Sequence, residues 1–565
     1  MSVRRGRVGI IDRMRRSHQR AARTTRRGWA LVVCALVAAS TAPAQAGQAA
    51  TGSIAGRLID VSTGQPIAGG VLVLRDVMSR SQTVVTSDPA GVFHLEDLAA
   101  ADYSLHATAL GYVPHTYGQR YPTEVVAPIT VAGGEAVANI EVALTPTRAI
   151  AGRVTTANGQ PLAFADVEVL RPQLDGDQRV LQPVGQATSN ARGEYRVEGL
   201  PPGLYYVAAQ EPDDPGTDDA AAPVQTMPIF FPGVATPAAA ERVRVSAGDD
   251  LTDVNFPVVR VAGVMVRGRL EQPRRTRLAT GSVIMSPEAN AGLGLGVSRS
   301  AIVRPDGKFE FSNVPPGLYG VRASARTTRD QVLFGASPLA VGRTDVGDVE
   351  VELSPGARLS GVVEAASTAT SPVPSLDGLW VSAPMFDGTI DSGVSRSRVD
   401  PDGGFILETP EGRRIMRLDE LPAPWSLQSV SFDGRNVLDT PFDLQLHDTR
   451  EGIRLLITDR PSRLTGSVRD EQGRAVRDPA VVALPVDPTR RYPGSPHVQL
   501  TYPDRDGRYE LIGLPAGDYL LSVVTGIRED DLYDVRVFRE IAAVGTAVTI
   551  EGATRSTRDL TFSRR

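Results

Sequence analysis

The residues of this chain that could bind a catalytic zinc ion are a few histidines and the acidic residues near them. A zinc peptidase site needs a His-x-x-Glu pair and a distant histidine, and it leaves one ligand position open for water. No histidine at position 94, 106, 115, 447 or 497 has Glu three residues later. His94 and Glu96 would share one face of a strand, but no third ligand is evident, so we interpret them as a solvated pair.

Two aspartate-rich segments have the look of calcium loops, Asp400-Pro401-Asp402-Gly403 and Asp504-Arg505-Asp506-Gly507. A calcium site needs six or more oxygen ligands, including a later bidentate acid. The matching segment elsewhere in the chain reads Pro305-Asp306-Gly307, which cannot supply that set. We therefore interpret these aspartates as turn residues, in which the carboxylate accepts a hydrogen bond from a nearby backbone N–H and the glycine adopts a positive φ.

Motifs for other kinds of catalysis are missing from the sequence. It contains no Gly-x-Ser-x-Gly elbow, no phosphate-binding loop and a single cysteine, Cys34, which lies in the N-terminal apolar stretch. The run Gly292–Gly296 superficially matches a dinucleotide-binding loop, but it lacks a βαβ setting, so we interpret it as a hairpin loop. We predict that the chain is not an enzyme and that it needs no cofactor or metal.

The elements that must position these side chains belong to a repeat of about a hundred residues, the size of one small sandwich. Copies open with glycine at positions 56, 152, 268, 361 and 466. Short β-branched and apolar runs between Gly and Pro signals predict strands throughout. In four copies a tyrosine follows the turn glycine by 12 residues: Gly91 and Tyr103, Gly193 and Tyr205, Gly307 and Tyr319, Gly507 and Tyr519. Because such a tyrosine commonly buries its ring and bonds its hydroxyl to the turn backbone, we expect these four to be structural core residues.

The copy between the third and the last is degenerate. It keeps Leu359–Val363 and Asp400–Phe405, but we interpret Arg413–Trp425 as a replacement for the Leu-Pro-x-Gly-x-Tyr element, with only Leu421-Pro422 matching. Its late strand should therefore depart from the shared plan. The other departure from strand patterning is Asp531–Ala542, where apolar residues recur every three positions and predict one short helix.

The pattern Gly-x-Val, Gly-x-Pro-Leu, Asp-x-x-Gly-x-Tyr and Leu-Pro-x-Gly-x-Tyr resembles the carboxypeptidase regulatory-like domain, a seven-stranded transthyretin-like β-sandwich. The resemblance covers nearly all of residues 52–565 and implies an all-β tandem array of about five modules. That family takes its name from a domain that follows a zinc peptidase domain, so the resemblance implies no peptidase activity. The predicted modules are module 1 at 52–146, module 2 at 149–258, module 3 at 259–354, degenerate module 4 at 357–458 and module 5 at 463–565.

The first 46 residues have the features of a signal peptide. Ten arginines precede the apolar run Trp29–Ala39, which is too short to span a bilayer, and Ala44-Gln45-Ala46 supplies a cleavage site. Thr25–Trp29 faintly resembles a twin-arginine signal, so the export route stays open between that and ordinary secretion. We expect an exported protein that is periplasmic, associated with the outer envelope or secreted.

Charge limits the possible partners of the mature chain. Removal of residues 1–46 takes away ten arginines and Asp12, which leaves 50 basic and 64 acidic residues and a net charge of −14. This acidic balance, without a basic block, disfavours nucleic acid and anionic lipid as partners, and no later stretch is apolar enough to span a membrane.

Lys308 is the only lysine, so at least four modules cannot form a Lys–Asn isopeptide bond.

Two functions remain open. The first is a cell-envelope binding module, with carbohydrate favoured because sandwiches of this kind overlap with starch-binding-like folds. The spare aromatic residues could contact a glycan or could instead pack at module junctions; they are Tyr112, Tyr117, Tyr121, Trp380, Tyr492 and Tyr502. The second is a structural spacer or protein-docking scaffold, of which an accessory subunit for a secreted peptidase is a variant. Short links such as Thr145–Arg148 favour a semi-rigid rod.

Trp380 and Trp425 are the only tryptophans that remain after removal of the signal, and both lie in the degenerate copy. Trp425 precedes Ser426–Val430, which has strand character, so we expect it to pack inward. Trp380 begins a Val-x-Ala strand after the loop Thr368–Gly378 and could reach the surface. Either tryptophan could instead fill a core that lost its tyrosine.

Overall fold

From residue 50 onward the chain forms short β-strands joined by tight turns, as the Gly and Pro signals predict. This computed structural model describes residues 50–119, 126–175, 178–211, 227–246, 250–259, 263–273, 276–288, 299–366, 372–389, 396–476 and 479–563. The predicted signal peptide, Tyr121 and the run Gly292–Gly296 lie outside these residues. The fold is a tandem array of β-sandwich modules, and the sequence-based prediction of an all-β class is confirmed.

Module 1 packs two sheets around an apolar core that includes Ile54, Leu72 and Leu105. One sheet has the order β4-β1-β8, with β8 parallel to β1, and the other has the order β3-β2-β5-β6, with β7 also paired to β5. The strands are β1 (Gly52–Asp60), β2 (Val71–Asp76), β3 (Gln82–Thr86), β4 (Val92–Leu98), β5 (Ala101–Thr108), β6 (His115–Thr116), β7 (Ile129–Val131) and β8 (Ala136–Leu144).

Modules 2 and 3 repeat this plan. Module 2 contains β9 (Arg148–Thr156), β10 (Asp166–Asp175), β11 (Gln178–Thr188), β12 (Glu194–Leu200), β13 (Gly203–Gln210), β14 (Ile229–Phe230), β15 (Val243–Val245) and β16 (Phe256–Val258). Module 3 contains β17 (Val264–Glu271), β18 (Leu278–Pro287), β19 (Arg299–Ile302), β20 (Lys308–Val314), β21 (Gly317–Thr327), β22 (Val332–Val341) and β23 (Val346–Glu352). Their sheets are β12-β9-β16 with β11-β10-β13-β14, and β20-β17-β23 with β19-β18-β21-β22.

The opening glycine of each copy is explained by a close approach between strands. A Cβ at this position would lie 1.8–2.4 Å from a backbone carbonyl oxygen in or next to the parallel neighbour strand, so only glycine fits. An aromatic residue lies directly opposite in every module and covers the space that the glycine leaves. The pairs are Gly56 with Phe93, Gly152 with Tyr195, Gly268 with Phe309, Gly361 with Phe405, and Gly466 with Tyr509.

Module 4 keeps the first sheet but breaks the second into two pieces. Its strands are β24 (Ala357–Ala366), β25 (Trp380–Ser382), β26 (Arg396–Arg398), β27 (Gly404–Thr409), β28 (Gly412–Arg414), β29 (Arg417–Asp419), β30 (Ser426–Phe432), β31 (Arg435–Asn436), β32 (Phe442–Leu444) and β33 (Thr449–Thr458). The first sheet has the order β27-β24-β33-β30-β31, and the pieces are β26-β25-β29 and β28-β32. The single late strand of the other modules is thus split between β28 and β29.

The structure corrects one interpretation of this module. The Leu-Pro-x-Gly-x-Tyr element is not replaced by Arg413–Trp425, because Thr409–Arg414 occupies its place with arginine instead of tyrosine. Arg414 is fully buried, and its Nε donates a hydrogen bond to the Pro410 carbonyl 2.7 Å away, four residues earlier. The tyrosines of the other modules make the same i to i−4 bond.

This match was missed in the sequence because the turn glycine and the last residue of the motif are spaced differently in module 4. Each of the other modules has one extra residue before the turn, and this residue has a positive φ. These residues are Asp97, Gly199, Asn313 and Gly513. Module 4 has no such position after β27, so its turn glycine and Arg414 are 11 residues apart instead of 12. A deletion at an irregular strand position leaves the sandwich intact but shifts the motif by one residue.

Module 5 carries the predicted helix. Its elements are β34 (Arg463–Asp470), β35 (Ala480–Pro485), β36 (Gln499–Thr501), β37 (Arg508–Ile512), β38 (Gly517–Val524), α1 (Val535–Ala542), β39 (Thr546–Ile550), β40 (Arg555–Thr557) and β41 (Leu560–Phe562). A 3-10 turn at Glu529–Tyr533 precedes α1, and Asp534 caps the helix by accepting a hydrogen bond from the Arg536 amide. Val537, Phe538 and Ile541 cover the outer face of β35, so this strand is buried on both sides.

Candidate functional site

The repeat tyrosines close the turns of modules 1, 2, 3 and 5. Their hydroxyls donate hydrogen bonds of 2.5–2.9 Å to the carbonyls of Ala99, Pro201, Pro315 and Pro515, each four residues earlier. All four rings are buried, and burial raises the pKa of Tyr103, Tyr205, Tyr319 and Tyr519 above the ordinary tyrosine value. These tyrosines therefore hold the turns and offer no surface to a ligand.

In the aspartate-rich turns, the carboxylates accept hydrogen bonds from backbone amides of the same turn. Asp504 Oδ1 accepts hydrogen bonds from the amides of Asp506 and Arg508, at 2.9 and 2.8 Å. Asp402 Oδ1 accepts one from the Gly404 amide at 3.1 Å. Within the ranges that the structure describes, no three His, Cys, Asp or Glu side chains form a cluster that could hold a metal ion.

The aromatic residues proposed for module 1 are engaged in packing. Tyr112 is partly buried, and its hydroxyl donates a hydrogen bond to Asp60 Oδ2 3.1 Å away. Tyr117 is also partly buried and packs against the core of module 1. Tyr121 lies outside the described residues. Both described tyrosines thus contribute to the packing of module 1.

The two tryptophans of module 4 have different environments. Trp425 is 7% exposed and lies in the module core. Trp380 is partly buried on β25, and Val381 points into the core beside it. Because side chains alternate along a strand, Trp380 projects from the opposite, outer face of the sheet β26-β25-β29.

This outer face, which we call the Trp380 face, carries six side chains in two rows across three strands. They are Arg398, Trp380 and Asp419 in one row and Arg396, Ser382 and Arg417 in the other. The Arg396 guanidinium carbon lies 4.6 Å from the centroid of the Trp380 ring, a cation–π contact. Arg398 Nε donates to the carbonyl of Asp377, which holds that side chain beside the indole.

Only Trp380 of this face was identified from the sequence. The other members could have been found from three pairs with two-residue spacing, Trp380-x-Ser382, Arg396-x-Arg398 and Arg417-x-Asp419. Each pair lies on one face of a strand, but the sequence does not tell which strands are neighbours.

Modules 4 and 5 meet through aromatic and charged side chains. The rings of Phe386 and Tyr492 lie 4.4 Å apart between centroids, and Arg417 Nη2 donates to the Tyr492 hydroxyl at 3.0 Å. Nearby, the buried His497 ring places Nε2 2.8 Å from Asp439 Oδ2 and Nδ1 2.7 Å from the Tyr519 hydroxyl. Although burial opposes it, the hydrogen bond from His497 holds the pKa of Asp439 below its ordinary value.

Modules 2 and 5 are also in direct contact, through a group of charged residues that we call the latch: Arg171 and Arg242 of module 2 with Asp531 and Asp534 of module 5. Asp531 Oδ1 lies 3.1 Å from Arg242 Nη1, and its Oδ2 lies 3.7 Å from Arg171 Nη2. The Asp531 side chain is 1% exposed and the two arginine side chains are each 6% exposed. Burial lowers the pKa of Arg171, and the charge of Asp531 opposes that effect.

Further contacts surround the latch. Arg536 Nη2 donates to the Tyr206 hydroxyl at 2.9 Å and its Nη1 donates to the Ala240 carbonyl at 3.0 Å. Leu204 of module 2 packs into the apolar cluster beneath α1. In a straight rod the two intervening modules would keep modules 2 and 5 apart, whereas here these modules are in contact. This contact depends on side chains about 300 positions apart, which no local pattern relates.

None of the helices among the described residues has the length and apolar character that crossing a bilayer requires.

A comparison of this chain with curated proteins finds no match.

Three of the solved structures that match this chain are the following. The TIE protein of Bacillus anthracis is 11% identical over 74% of each chain, with a TM-score of 0.14. A minor pilin of Streptococcus agalactiae is 12% identical over 37% of this chain and 96% of its own, with a TM-score of 0.22. The major pilin subunit of Bacillus cereus is 11% identical over 54% of this chain and 100% of its own, with a TM-score of 0.14. TM-scores this low support no inference about function.

The comparison with protein families gives a more specific result. The sequence profile of the carboxypeptidase regulatory-like domain matches residues 53–145 and 149–258. These are the two copies in which β1 and β9 carry the opening glycines and Tyr103 and Tyr205 close the turns. Residues 53–258 are therefore similar to two copies of the carboxypeptidase regulatory-like domain.

Proposed function

We propose that the chain is an exported, non-catalytic scaffold of the cell envelope whose modules display their outer faces in a fixed arrangement to partner proteins. The observation that carries this proposal is the latch. In the latch one buried carboxylate contacts two buried arginines of another module, and removal of one partner from such a group costs several kcal/mol because a charge then stays buried without a partner.

The contacts between modules 4 and 5 support the same function. Phe386, Arg417 and Asp439 of module 4 all engage module 5, so the two modules cannot rotate freely about the short link between them. A scaffold gains from such stiffness, because a partner that binds two modules at once does not have to order them first.

Capture from envelope fractions tests the scaffold function. Cells would secrete the wild-type protein, the latch variant Asp531→Ala and the control Asp330→Ala, which removes the exposed Arg326–Asp330 pair. We expect the wild type and the control to crosslink the same envelope proteins, and Asp531→Ala to retain them at a fraction of that yield. Equal partner yields for all three proteins, or no partner above background, would contradict the proposal.

Export is part of this proposal and has its own test. We expect the protein recovered from the envelope or the medium to begin at Gly47, after the Ala44-Gln45-Ala46 site. Intact-mass measurement of the recovered chain would settle the point, and a protein that stays in the cytoplasm with its first 46 residues would contradict it.

A second candidate function is carbohydrate binding at the Trp380 face. The observation that favours it is a tryptophan ring on an exposed sheet face beside polar side chains, the combination that glycan sites use. A glycan array probed with wild type and Trp380→Ala tests it: we expect signals that disappear with the indole. An array without any signal that depends on Trp380 would exclude this candidate.

A further inference from the structure

The Trp380 face brings together three kinds of side chain that recognise different parts of one sugar. Arg398 and Asp419 lie directly opposite Trp380 on the two neighbouring strands, so the three form a row across the sheet. Opposite residues of antiparallel strands have Cβ atoms about 5 Å apart, close enough for one bound residue to reach all three. Arg398 and Asp419 are exposed and Trp380 is partly exposed.

Arg396 is the most informative member of the face. Its guanidinium carbon lies 4.6 Å from the centroid of the indole ring, a cation–π contact. Arg396 is exposed, and a guanidinium carries five N–H donors in one plane. Among the residues that the structure describes, none makes a hydrogen bond or an ion pair with the Arg396 side chain. These donors can therefore bind a carboxylate in a two-pronged bond.

We propose that the Trp380 face binds an acidic polysaccharide built from uronic acid residues, an inference that rests on the carbohydrate-binding function proposed above. The carboxylate of a uronic acid pairs with Arg396, its apolar ring face lies on the exposed part of Trp380, and its hydroxyls donate to Asp419. Arg398 offers further donors beside the indole.

The Asp419 carboxylate makes the face selective for a uronic acid over other anionic ligands. A polyanion without hydroxyl groups, such as polyglutamate, would bring like charge to this carboxylate and no hydroxyl donor to pair with it. Each residue of a polyuronic acid instead carries hydroxyl groups as well as a carboxylate, and these hydroxyls can donate to Asp419. The row of Arg398, Trp380 and Asp419 thus fits a uronic acid better than it fits a polyanion without hydroxyl groups.

Calorimetric titration with a matched pair of ligands tests the inference. The probes are an oligogalacturonate and its carboxyl-reduced form, which has the same sugars without the charge. We expect the mature protein to bind the acidic oligomer, and the affinity to fall at least about tenfold for the reduced oligomer and for Arg396→Gln. Trp380→Ala should weaken binding of both oligomers. The control Arg435→Ala, an exposed arginine on the other sheet of module 4, should bind as the wild type does.

The possible failures are distinguishable. Binding of neutral oligomers that depends on Trp380 but not on Arg396 would overturn the acidic ligand and keep carbohydrate binding. Equal affinity for polyglutamate would overturn it in favour of a general anion patch. Failure of every oligosaccharide to bind would overturn this inference together with the carbohydrate function. Far-ultraviolet circular dichroism of each variant confirms that the sandwich is intact, since Arg396 and Arg435 are exposed.

Discussion

At the scale of single residues, each module depends on one side chain that reaches back to a carbonyl four positions earlier. Tyrosine does this in four modules and Arg414 does it in module 4. The bond joins the turn to the core, because the ring or the guanidinium is buried while its polar end satisfies a backbone oxygen. A neutral tyrosine and a charged arginine thus make the same hydrogen bond to the turn backbone.

Tyr519 is the residue whose loss should affect module 5 most clearly. Its ring is fully buried, and its hydroxyl contacts both the Pro515 carbonyl and His497. We expect Tyr519→Ala to lower the free energy of unfolding by about 3–5 kcal/mol, as for other large core aromatics. Tyr519→Phe keeps the ring and should cost about 1–3 kcal/mol for the buried groups left without a partner. Denaturant unfolding of the variants measures both, and a loss below about 1 kcal/mol for Tyr519→Ala would show that the ring is not part of the core.

Arg414 offers a matched pair of substitutions. Besides the Pro410 carbonyl, it donates to the carbonyls of Ala383 and Glu411 at 2.9 and 3.3 Å. We expect Arg414→Met to cost about 3 kcal/mol, because several buried carbonyls lose their donor. The neighbouring Arg413 side chain is 64% exposed, so Arg413→Met should cost less than about 1 kcal/mol. Similar stability of the two variants would contradict the structural role assigned to Arg414.

At the scale of elements, the repeat determines where strands begin and how they pair. The opening glycine and the aromatic opposite it recur in all five modules, and this repeat predicted the sandwich units. The apolar spacing in Asp531–Ala542 predicted the helix near the C-terminus, which begins at Val535 after a 3-10 turn. Arg414 escaped prediction because one residue is missing before its turn and because arginine is rarely fully buried. The Trp380 face escaped because strand neighbours are set by long-range packing rather than by local pattern.

The interface between modules 4 and 5 should respond to pH through Asp439. Its hydrogen bond from His497 keeps the folded pKa below the ordinary value of about 3.9, although burial opposes this. A depressed carboxyl pKa adds stability that is fully present above that value and is lost as the pH falls through the folded pKa.

We therefore expect Asp439→Asn to lower the melting temperature at pH 6, with a difference from the wild type that shrinks as the pH falls below about 4. Thermal scans between pH 6 and pH 2 measure this. As a control, Asp443→Asn alters an exposed partner of Arg413 and should follow the wild type. A difference for Asp439→Asn that does not change with pH would exclude the proposed contribution of its charge.

At the scale of the whole molecule, the contact between modules 2 and 5 is the feature on which the proposed function depends. Tandem sandwiches with short links would form a rod if neighbouring modules alone interacted. Here Arg171, Arg242 and Asp531 join two modules that are separated in the chain by two others. The scaffold function that we propose depends on this contact, because it holds modules 2 and 5 together.

The most direct test is a crosslink between the two modules. Arg244 Nη2 and Glu540 Oε2 form an exposed ion pair of 2.5 Å beside the latch, and a chain expressed from residue 47 lacks cysteine. In the double variant Arg244→Cys, Glu540→Cys, a short bismaleimide reagent should join the two positions within single chains, and mass spectrometry of the monomer fraction should recover the linked peptides. Modification of both cysteines without an intramolecular link would contradict the contact between modules 2 and 5.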